Sequence, residues 1–204
     1  MGKETNEITV RIKGTIEEVE KILNKNNFKI VDEFSLDDTF FIPKKLDWKK
    51  LSIREIISKA VIARVVKRKE RIVQTLTIKK KEFDENGNII KQEKSEIDVL
   101  NIEDAKKFMK VLEYEQLMNI KEKDITYEKN GFRVSLKNIK NGEKLIESDF
   151  IFDNDELNTA EKLVKKFEEY EIPIFTDDLF VKKAEIELKK VLEKIENDWH
   201  IYFK

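Results

Sequence analysis

The sequence predicts an α+β fold in which eight antiparallel strands form one sheet and helices pack against it. Three observations support this prediction. Segments that alternate apolar and polar residues recur along the chain, Asn-Gly pairs separate several of them, and capping-box spacings mark helix starts. The chain has 204 residues, of which 40% are hydrophobic, so it can bury a substantial core. We therefore expect a single domain over residues 1–204.

Residue patterns in the first part of the chain predict two extended segments, each followed by a helix. Residues 7–13 alternate apolar and polar side chains, which is typical of a half-buried strand. Thr15 and Ser52 each precede a glutamate by three residues, which is the capping-box spacing at a helix start. The predicted elements are a strand at 7–13, a helix at about 16–26, an extended segment at 28–42 ended by Pro43, and a short helix before residue 59.

The remainder of the chain predicts six more strands and three more helices. The turn Asp84-Glu85-Asn86-Gly87 and the pairs Asn130-Gly131 and Asn141-Gly142 are hairpin signals that join neighbouring strands. The predicted elements are strands at about 60–68, 71–83 and 88–99, a helix at 102–115, strands at 117–128, 132–139 and 144–152, and helices at 157–171 and 178–197. The last helix is amphipathic, and we expect it to pack on the domain, with a homodimer contact as the alternative.

Composition excludes several classes of function. The 41 basic and 42 acidic residues nearly cancel, so the bulk charge does not favour a nucleic-acid partner. The chain has no cysteine and one histidine, His200, which excludes thiolate sites and disfavours histidine-based catalytic triads. The first residues lack the apolar core of a signal peptide and no segment is long enough to span a membrane, so we expect a cytoplasmic protein without a membrane partner.

The predicted strands carry apolar residues on one face and charged residues on the other. The charged faces bring together Arg11, Lys13, Arg64, Lys79, Lys81, Lys94, Lys121, Lys123, Arg133 and Lys137 with Glu7, Glu96, Asp98, Glu147 and Asp149. If the sheet closes on itself, so many like charges in its interior need a polyanion, and the carboxylates suit a hard divalent cation. The alternative is an open sheet whose charged face is simply solvated and needs no ligand.

Seven short segments, all in the same order, resemble motifs of the CYTH family over roughly residues 4–180. The segments are EITVR at 7–11, DTFF at 38–41, AVIAR at 60–64, LTIK at 76–79, KSEID at 94–98, KEK at 121–123 and ESD at 147–149. The family includes class IV adenylate cyclases, thiamine triphosphatases and inorganic triphosphatases. The resemblance implies its triphosphate tunnel fold, which is a closed eight-stranded antiparallel barrel with helices packed outside.

The resemblance also implies a ligand, a cofactor and a set of site residues. The barrel of the family holds a triphosphate with basic side chains and Mg²⁺ or Mn²⁺ with acidic ones. Together with the charged strand faces, this predicts that phosphate is bound by Arg11, Arg64, Lys79, Lys94, Lys121, Lys123 and Arg133. The predicted metal ligands are Glu7, Glu147 and Asp149, and Glu96 and Asp98 are predicted to orient the basic residues or to add a second cation site. No catalytic residue is identified.

The sequence departs from the family pattern at positions that bear on the metal. Thr9 stands where the family has a second glutamate, Ile62 where it has an arginine, and Lys137 where it has an aspartate. Three hypotheses therefore remain open. The chain is a metal-dependent enzyme that hydrolyses a triphosphate or cyclises ATP to cyclic AMP, a module that binds a nucleotide or polyphosphate without turnover, or a scaffold without a ligand.

Overall fold

The structure is a computed structural model that describes residues 7–83, 89–149, 151, 154, 156–177, 179 and 182–202. The predicted turn at residues 84–87 lies outside the described residues, as do residues 150 and 152 of the last predicted strand. The side chains of Lys81 and His200 also lie outside the described part of the chain.

Eight strands form one antiparallel sheet, as predicted. They are β1 (Glu7–Arg11), β2 (Lys29–Pro43), β3 (Val61–Lys67), β4 (Ile72–Phe83), β5 (Ile89–Asp98), β6 (Tyr114–Lys129), β7 (Phe132–Ile139) and β8 (Lys144–Asp149). Their order across the sheet is β1-β8-β7-β6-β2-β3-β4-β5. Most neighbours are hairpins, but the long pairing of β2 with β6 joins segments that are far apart in the chain.

Five α-helices connect or follow the strands. They are α1 (Ile16–Lys25), α2 (Ile53–Ser58), α3 (Ile102–Val111), α4 (Ala160–Glu169) and α5 (Lys183–Tyr202), with a short 3₁₀ helix at Trp48–Lys50. The capping boxes at Thr15 and Ser52 are both formed, so the predicted starts of α1 and α2 are confirmed. The α+β class is therefore confirmed. No helix in the described part of the chain is both long and apolar enough to cross a membrane.

Two helix boundaries differ from the predicted ones. Helix α3 ends at Val111 rather than near residue 115, because Glu113 adopts a left-handed conformation with φ 61° and β6 begins at the next residue. Helix α5 begins at Lys183 rather than near residue 178. The residues before it run beside β1, where the amide of Thr9 donates to the carbonyl of Leu179 at 3.3 Å.

The predicted closure of the barrel is not confirmed. Strands β1 and β5 are the two edges of the sheet, and the described residues show no hydrogen-bonded pairing between them. The edge of β1 is instead covered by the segment before α5, since the amide of Lys13 donates to Pro173 and the amide of Phe175 donates to Arg11. This cover satisfies backbone groups that an open edge exposes.

Helices pack on both faces of the sheet. Helices α1 and α4 bury Val19, Leu23, Leu163 and Phe167 against apolar side chains of β1, β7 and β8, and α3 packs on the same face farther along. We call this the outer face. On the opposite face, Ile56 of α2 and Leu188 of α5 pack against buried residues of β2, β3 and β6. This position of α2 and α5 differs from the prediction that all helices lie outside.

Candidate functional site

A cavity of about 340 Å³ lies on the sheet face that carries α2 and α5. We call the cavity the groove, and this side of the sheet the groove face. Side chains from seven strands line it, together with residues of α2 and the start of α5. The charged lining residues are Glu7, Asp38, Arg54, Arg64, Arg68, Lys79, Glu122, Asp124, Lys137, Glu147, Lys182, Lys183 and Glu185. The groove is therefore a mixed-charge site rather than a purely basic one.

The pair of Arg64 and Asp38 lies at the centre of the groove. The two residues are cross-strand partners on β3 and β2, and Arg64 donates two hydrogen bonds of 2.7 Å to the carboxylate. Desolvation acts to lower the pKa of the Arg64 guanidinium, but the hydrogen bonds and the charge of Asp38 outweigh it, so the net shift is upward. Arg64 is thus a permanently charged group fixed in place by a fully buried carboxylate.

Lys137 bridges two carboxylates beside this pair. Its Nζ lies 3.0 Å from Oδ2 of Asp124 and 3.2 Å from Oε1 of Glu147. The other oxygen of Glu147, Oε2, accepts a hydrogen bond of 3.2 Å from the hydroxyl of Thr9. Both oxygens of Glu147 therefore already have partners. Lys137 itself is 8% exposed, so its ammonium is held almost entirely by protein groups.

Two lysines at the start of α5 add to the groove from outside the sheet. Lys182 donates from Nζ to the backbone carbonyl of Glu7 at 2.6 Å, and its Nζ lies 3.3 Å from Oε1 of the same residue. Lys183 forms an ion pair with Glu122, and its Nζ lies 3.8 Å from Oδ2 of Asp38. Sequence analysis missed both residues. One feature of the sequence could have indicated them. Lysines at a helix N-terminus interact unfavourably with the helix dipole, so they are expected to have acidic partners elsewhere in the structure.

Glu122 and Asp124 of β6 are the second set of groove residues that sequence analysis missed. They follow Met118 and Ile120 at two-residue spacing, and these apolar residues are buried on the groove face. That alternation was the available signal for their orientation. Within the described residues, Oε2 of Glu122 and Oδ1 of Asp124 are buried without a hydrogen-bond partner. Such unpaired buried oxygens mark a site that is strained or awaits a donor.

The carboxylates of the groove differ in their affinity for protons. Burial and the nearby charge of Glu122 raise the pKa of Asp124 to about 6, although Lys137 partly offsets this shift. Burial also acts to raise the pKa of Glu147, but Lys137, Lys182 and Lys183 lower it to about 2. Desolvation and the charges of Glu147 and Glu7 raise the pKa of Asp149, which lines a neighbouring cavity, to about 6. Burial acts to lower the pKa of the Lys137 ammonium. The negative charges of Glu147, Asp124 and Glu122 outweigh burial, so the net shift is upward.

Most of the predicted site residues share the groove face. Glu7, Glu147, Arg64 and Lys79 line the groove itself. The other predicted residues on this face are Lys94, Glu96 and Asp98 on β5, paired with Lys79, Thr77 and Thr75 of β4, and Arg133 and Asp149 beside a neighbouring cavity. Arg11 forms an exposed ion pair of 2.7 Å with Asp177. The roles assigned to these residues stay predictions.

Lys121 and Lys123 are not brought together with the others. Lys121 pairs with Asp37 across β6 and β2, whereas Asp38 is the residue that faces the groove, so Lys121 and Lys123 lie on the outer face. The Nζ of Lys121 lies 3.2 Å from Oδ2 of Asp37. Both lysines border a separate cavity beside α3. Their predicted membership of a common lining therefore does not hold, because adjacent strand positions point to opposite faces.

The predicted metal ligands do not fit a divalent cation as they are arranged. Glu7 and Asp149 are cross-strand partners. Glu147 lies two residues before Asp149 on the same strand, so the three side chains share one face. However, Glu7 contacts Lys182, and both oxygens of Glu147 are used by Lys137 and Thr9. Over residues 7–202, with the gaps given above, no three acidic or histidine side chains are grouped so that they could hold a metal ion.

No protein-family model matches the chain. No curated protein matches it either.

Comparison with solved structures finds the same fold in several proteins. The PH1819 protein from Pyrococcus horikoshii OT3 matches with a TM-score of 0.67 and 17% identity, covering 92% of this chain and 99% of that one. A "putative adenylate cyclase" from Vibrio parahaemolyticus matches with a TM-score of 0.61 and 11% identity, covering 95% and 99%. HpAC1 from Hippeastrum, whose dominant activity is that of a triphosphatase, matches with a TM-score of 0.57 and 14% identity, covering 88% and 93%. The predicted CYTH-like fold is thus confirmed at the level of the fold.

Proposed function

We propose that the groove binds the triphosphate group of a nucleotide or of inorganic triphosphate. The observation that carries the proposal is the convergence of seven basic side chains on one groove, namely Arg54, Arg64, Arg68, Lys79, Lys137, Lys182 and Lys183. The fold is shared with the triphosphatase from Hippeastrum and with a "putative adenylate cyclase", which makes a triphosphate the ligand class to test first. Phosphate oxygens suit these donors because charge-assisted hydrogen bonds are the stronger ones.

The ion pairs of the groove are compatible with an incoming anion. A lysine ammonium carries three donors, and Lys137 directs its Nζ at two carboxylates, so one donor remains for a phosphate oxygen. Asp124, whose pKa is raised to about 6, takes up a proton more readily than an ordinary aspartate when an anion approaches. The ligand thus adds to the existing network instead of dismantling it.

Binding without turnover is the form of this function that the groove favours. Transfer of a phosphoryl group depends on positioning and on neutralising charge in the transition state, and known enzymes use metal ions for much of that task. In this chain the hydroxyl of Thr9 and the ammonium of Lys137 hold Glu147, the carboxylate predicted to bind the metal. Hydrolysis of the triphosphate and cyclisation of ATP to cyclic AMP are the two reactions that an assay must distinguish from simple binding.

Calorimetric titration of the purified protein with tripolyphosphate and with ATP tests the proposal. We expect saturable binding, and we expect Lys79→Ala to weaken it at least about tenfold, because a charge-assisted contact contributes about 1.5–3 kcal/mol. Lys121→Ala is the matched control, since it removes the same charge from the outer face. Absence of binding, or an equal loss in both variants, would contradict the proposal.

The same samples decide about turnover. After titration, each is assayed for phosphate, pyrophosphate and cyclic AMP. We expect the ligand to remain intact. Release of phosphate from tripolyphosphate would establish a hydrolase, and pyrophosphate together with cyclic AMP from ATP would establish a cyclase.

A further inference from the structure

We infer that the ammonium group of Lys137 takes the place of a divalent cation in the groove, so that triphosphate binding by this chain does not require Mg²⁺ or Mn²⁺. The second part of this inference rests on the proposed function. The first part, that Lys137 occupies a cation position, stands on the geometry of the groove alone.

Lys137 makes the contacts that a bridging cation would make. Its Nζ lies within 3.2 Å of carboxylate oxygens from two strands, Asp124 on β6 and Glu147 on β8. The side chain reaches them from β7, which lies between these strands in the sheet. A divalent cation likewise joins carboxylates from separate elements, with shorter oxygen distances of about 2.0–2.6 Å. The ammonium therefore holds together the same type of ligand pair.

A metal ion and the Lys137 ammonium cannot share this position. Asp124 is fully buried and Lys137 is 8% exposed, so little water screens the charges around them. A second cation on Glu147 would lie close to Nζ in a medium where like charges repel strongly. The other oxygen of Glu147, Oε2, already accepts a hydrogen bond from the hydroxyl of Thr9. A metal ion on Glu147 would therefore compete with a partner at each of its two oxygens.

Glu7, the second predicted metal ligand, shows the same arrangement. The Nζ of Lys182 lies 3.3 Å from its Oε1 and donates to its backbone carbonyl at 2.6 Å. Lys182 is buried, with 7% of its surface exposed. Because it belongs to the segment before α5 rather than to the sheet, a separate part of the chain delivers this ammonium. Two lysines from different elements thus contact two carboxylates that were expected to bind metal.

The sequence departures at Thr9 and Lys137 change the groove in one direction. A hydroxyl at position 9 and an ammonium at position 137, where the resemblance implies carboxylates, both make the groove more positive. A site with a built-in ammonium beside its carboxylates needs less positive charge from solution. The two positions are joined through Glu147, which contacts both side chains. They therefore act on one carboxylate rather than independently.

Two measurements on the whole chain test the inference. The first is calorimetric titration with tripolyphosphate in buffer containing EDTA and in buffer containing Mg²⁺, with the free ligand concentration corrected for the magnesium complex. We expect the two dissociation constants to agree within about threefold. A loss of more than about tenfold in EDTA would overturn the inference.

The second measurement follows free Mn²⁺ by electron paramagnetic resonance, without any phosphate present. We expect no stoichiometric binding to the wild-type chain. We expect Lys137→Asp to bind one Mn²⁺, because it removes the ammonium and adds a carboxylate beside Asp124 and Glu147. Lys121→Asp on the outer face is the control and should behave as the wild type.

The wild-type results alone decide the inference if Lys137→Asp does not fold. Binding of one Mn²⁺ by the wild-type chain would overturn it. If tripolyphosphate fails to bind in both buffers, the proposed function fails, and the Mn²⁺ titration then decides by itself whether Lys137 takes the place of the cation.

Discussion

Strand β6 carries charged side chains on both faces, but they are buried on the groove face and exposed on the outer face. Glu122 and Asp124 point into the groove, where both are buried and contact lysines. Lys121, one residue away, points to the outer face, where just over half of its side chain is exposed in an ion pair with Asp37. Charged side chains of β6 are therefore part of a buried network on the groove face, whereas on the outer face they contribute little to stability. Because side chains alternate between the two faces of a strand, the position of a charged residue along β6 decides whether it is buried.

The largest expected effect comes from removing the central cation of the groove. Lys137→Ala leaves Asp124 and Glu147 without their shared partner, and breaking a buried ion pair from one side costs about 3–5 kcal/mol. The free energy of unfolding, measured by urea denaturation at pH 7, should fall by this amount. A fall below about 1 kcal/mol would show that the groove is hydrated and that the pair is not structural.

A change of pH is expected to have a smaller effect on the free energy of unfolding. The variant Asp124→Asn separates the contribution of Asp124 from that of other groups. The pKa of Asp124 rises from 3.8 to about 6 on folding, so in this window the native state binds more protons than the unfolded chain. Stability from this group is therefore greatest at low pH and is lost as the pH rises through 6. Between pH 5 and pH 7 the loss is about 1 kcal/mol.

Urea denaturation at pH 5, 6 and 7 checks this prediction. The wild-type chain should lose stability between pH 5 and 7 more steeply than Asp124→Asn, which has no group to titrate at that position. Glu147, whose pKa is lowered on folding from 4.5 to about 2, contributes only a small slope of opposite sign near pH 5, and this slope is the same in both proteins. Equal slopes in the two proteins would mean that the Asp124 carboxyl is ionised throughout.

The smallest effect is expected on the outer face. Lys121→Ala removes an exposed ion pair whose Nζ and Oδ2 atoms lie 3.2 Å apart, and such pairs contribute about 0.2–1 kcal/mol. Urea denaturation should detect a change of less than about 0.5 kcal/mol, and addition of salt should abolish it. A loss comparable to that of Lys137→Ala would remove the distinction between the two faces.

Local signals predicted the elements well. The capping boxes at Thr15 and Ser52 form as expected. Asn130 and Gly131 both have positive φ, at 51° and 81°, which is the conformation that an Asn-Gly hairpin turn requires. These features depend on a few neighbouring residues, so the sequence contains all the information that determines them.

Features that depend on distant parts of the chain were predicted less well. Lys182 and Lys183 reach the groove because α5 packs on it, and nothing near them in the sequence indicates that contact. Lys121 and Lys123 matched a family motif, but the pairing of β6 with β2 places them on the outer face. A motif match gives residue types in order, whereas the register of a distant strand pair decides which of them meet.

A crystal structure of the protein grown with tripolyphosphate in the presence of EDTA tests the account most directly. We expect a triphosphate in the groove, with phosphate oxygens within hydrogen-bond distance of Arg64 and Lys137 and no metal ion between them. A triphosphate bound along Lys121 and Lys123 on the outer face, or an empty groove at saturating tripolyphosphate, would contradict it.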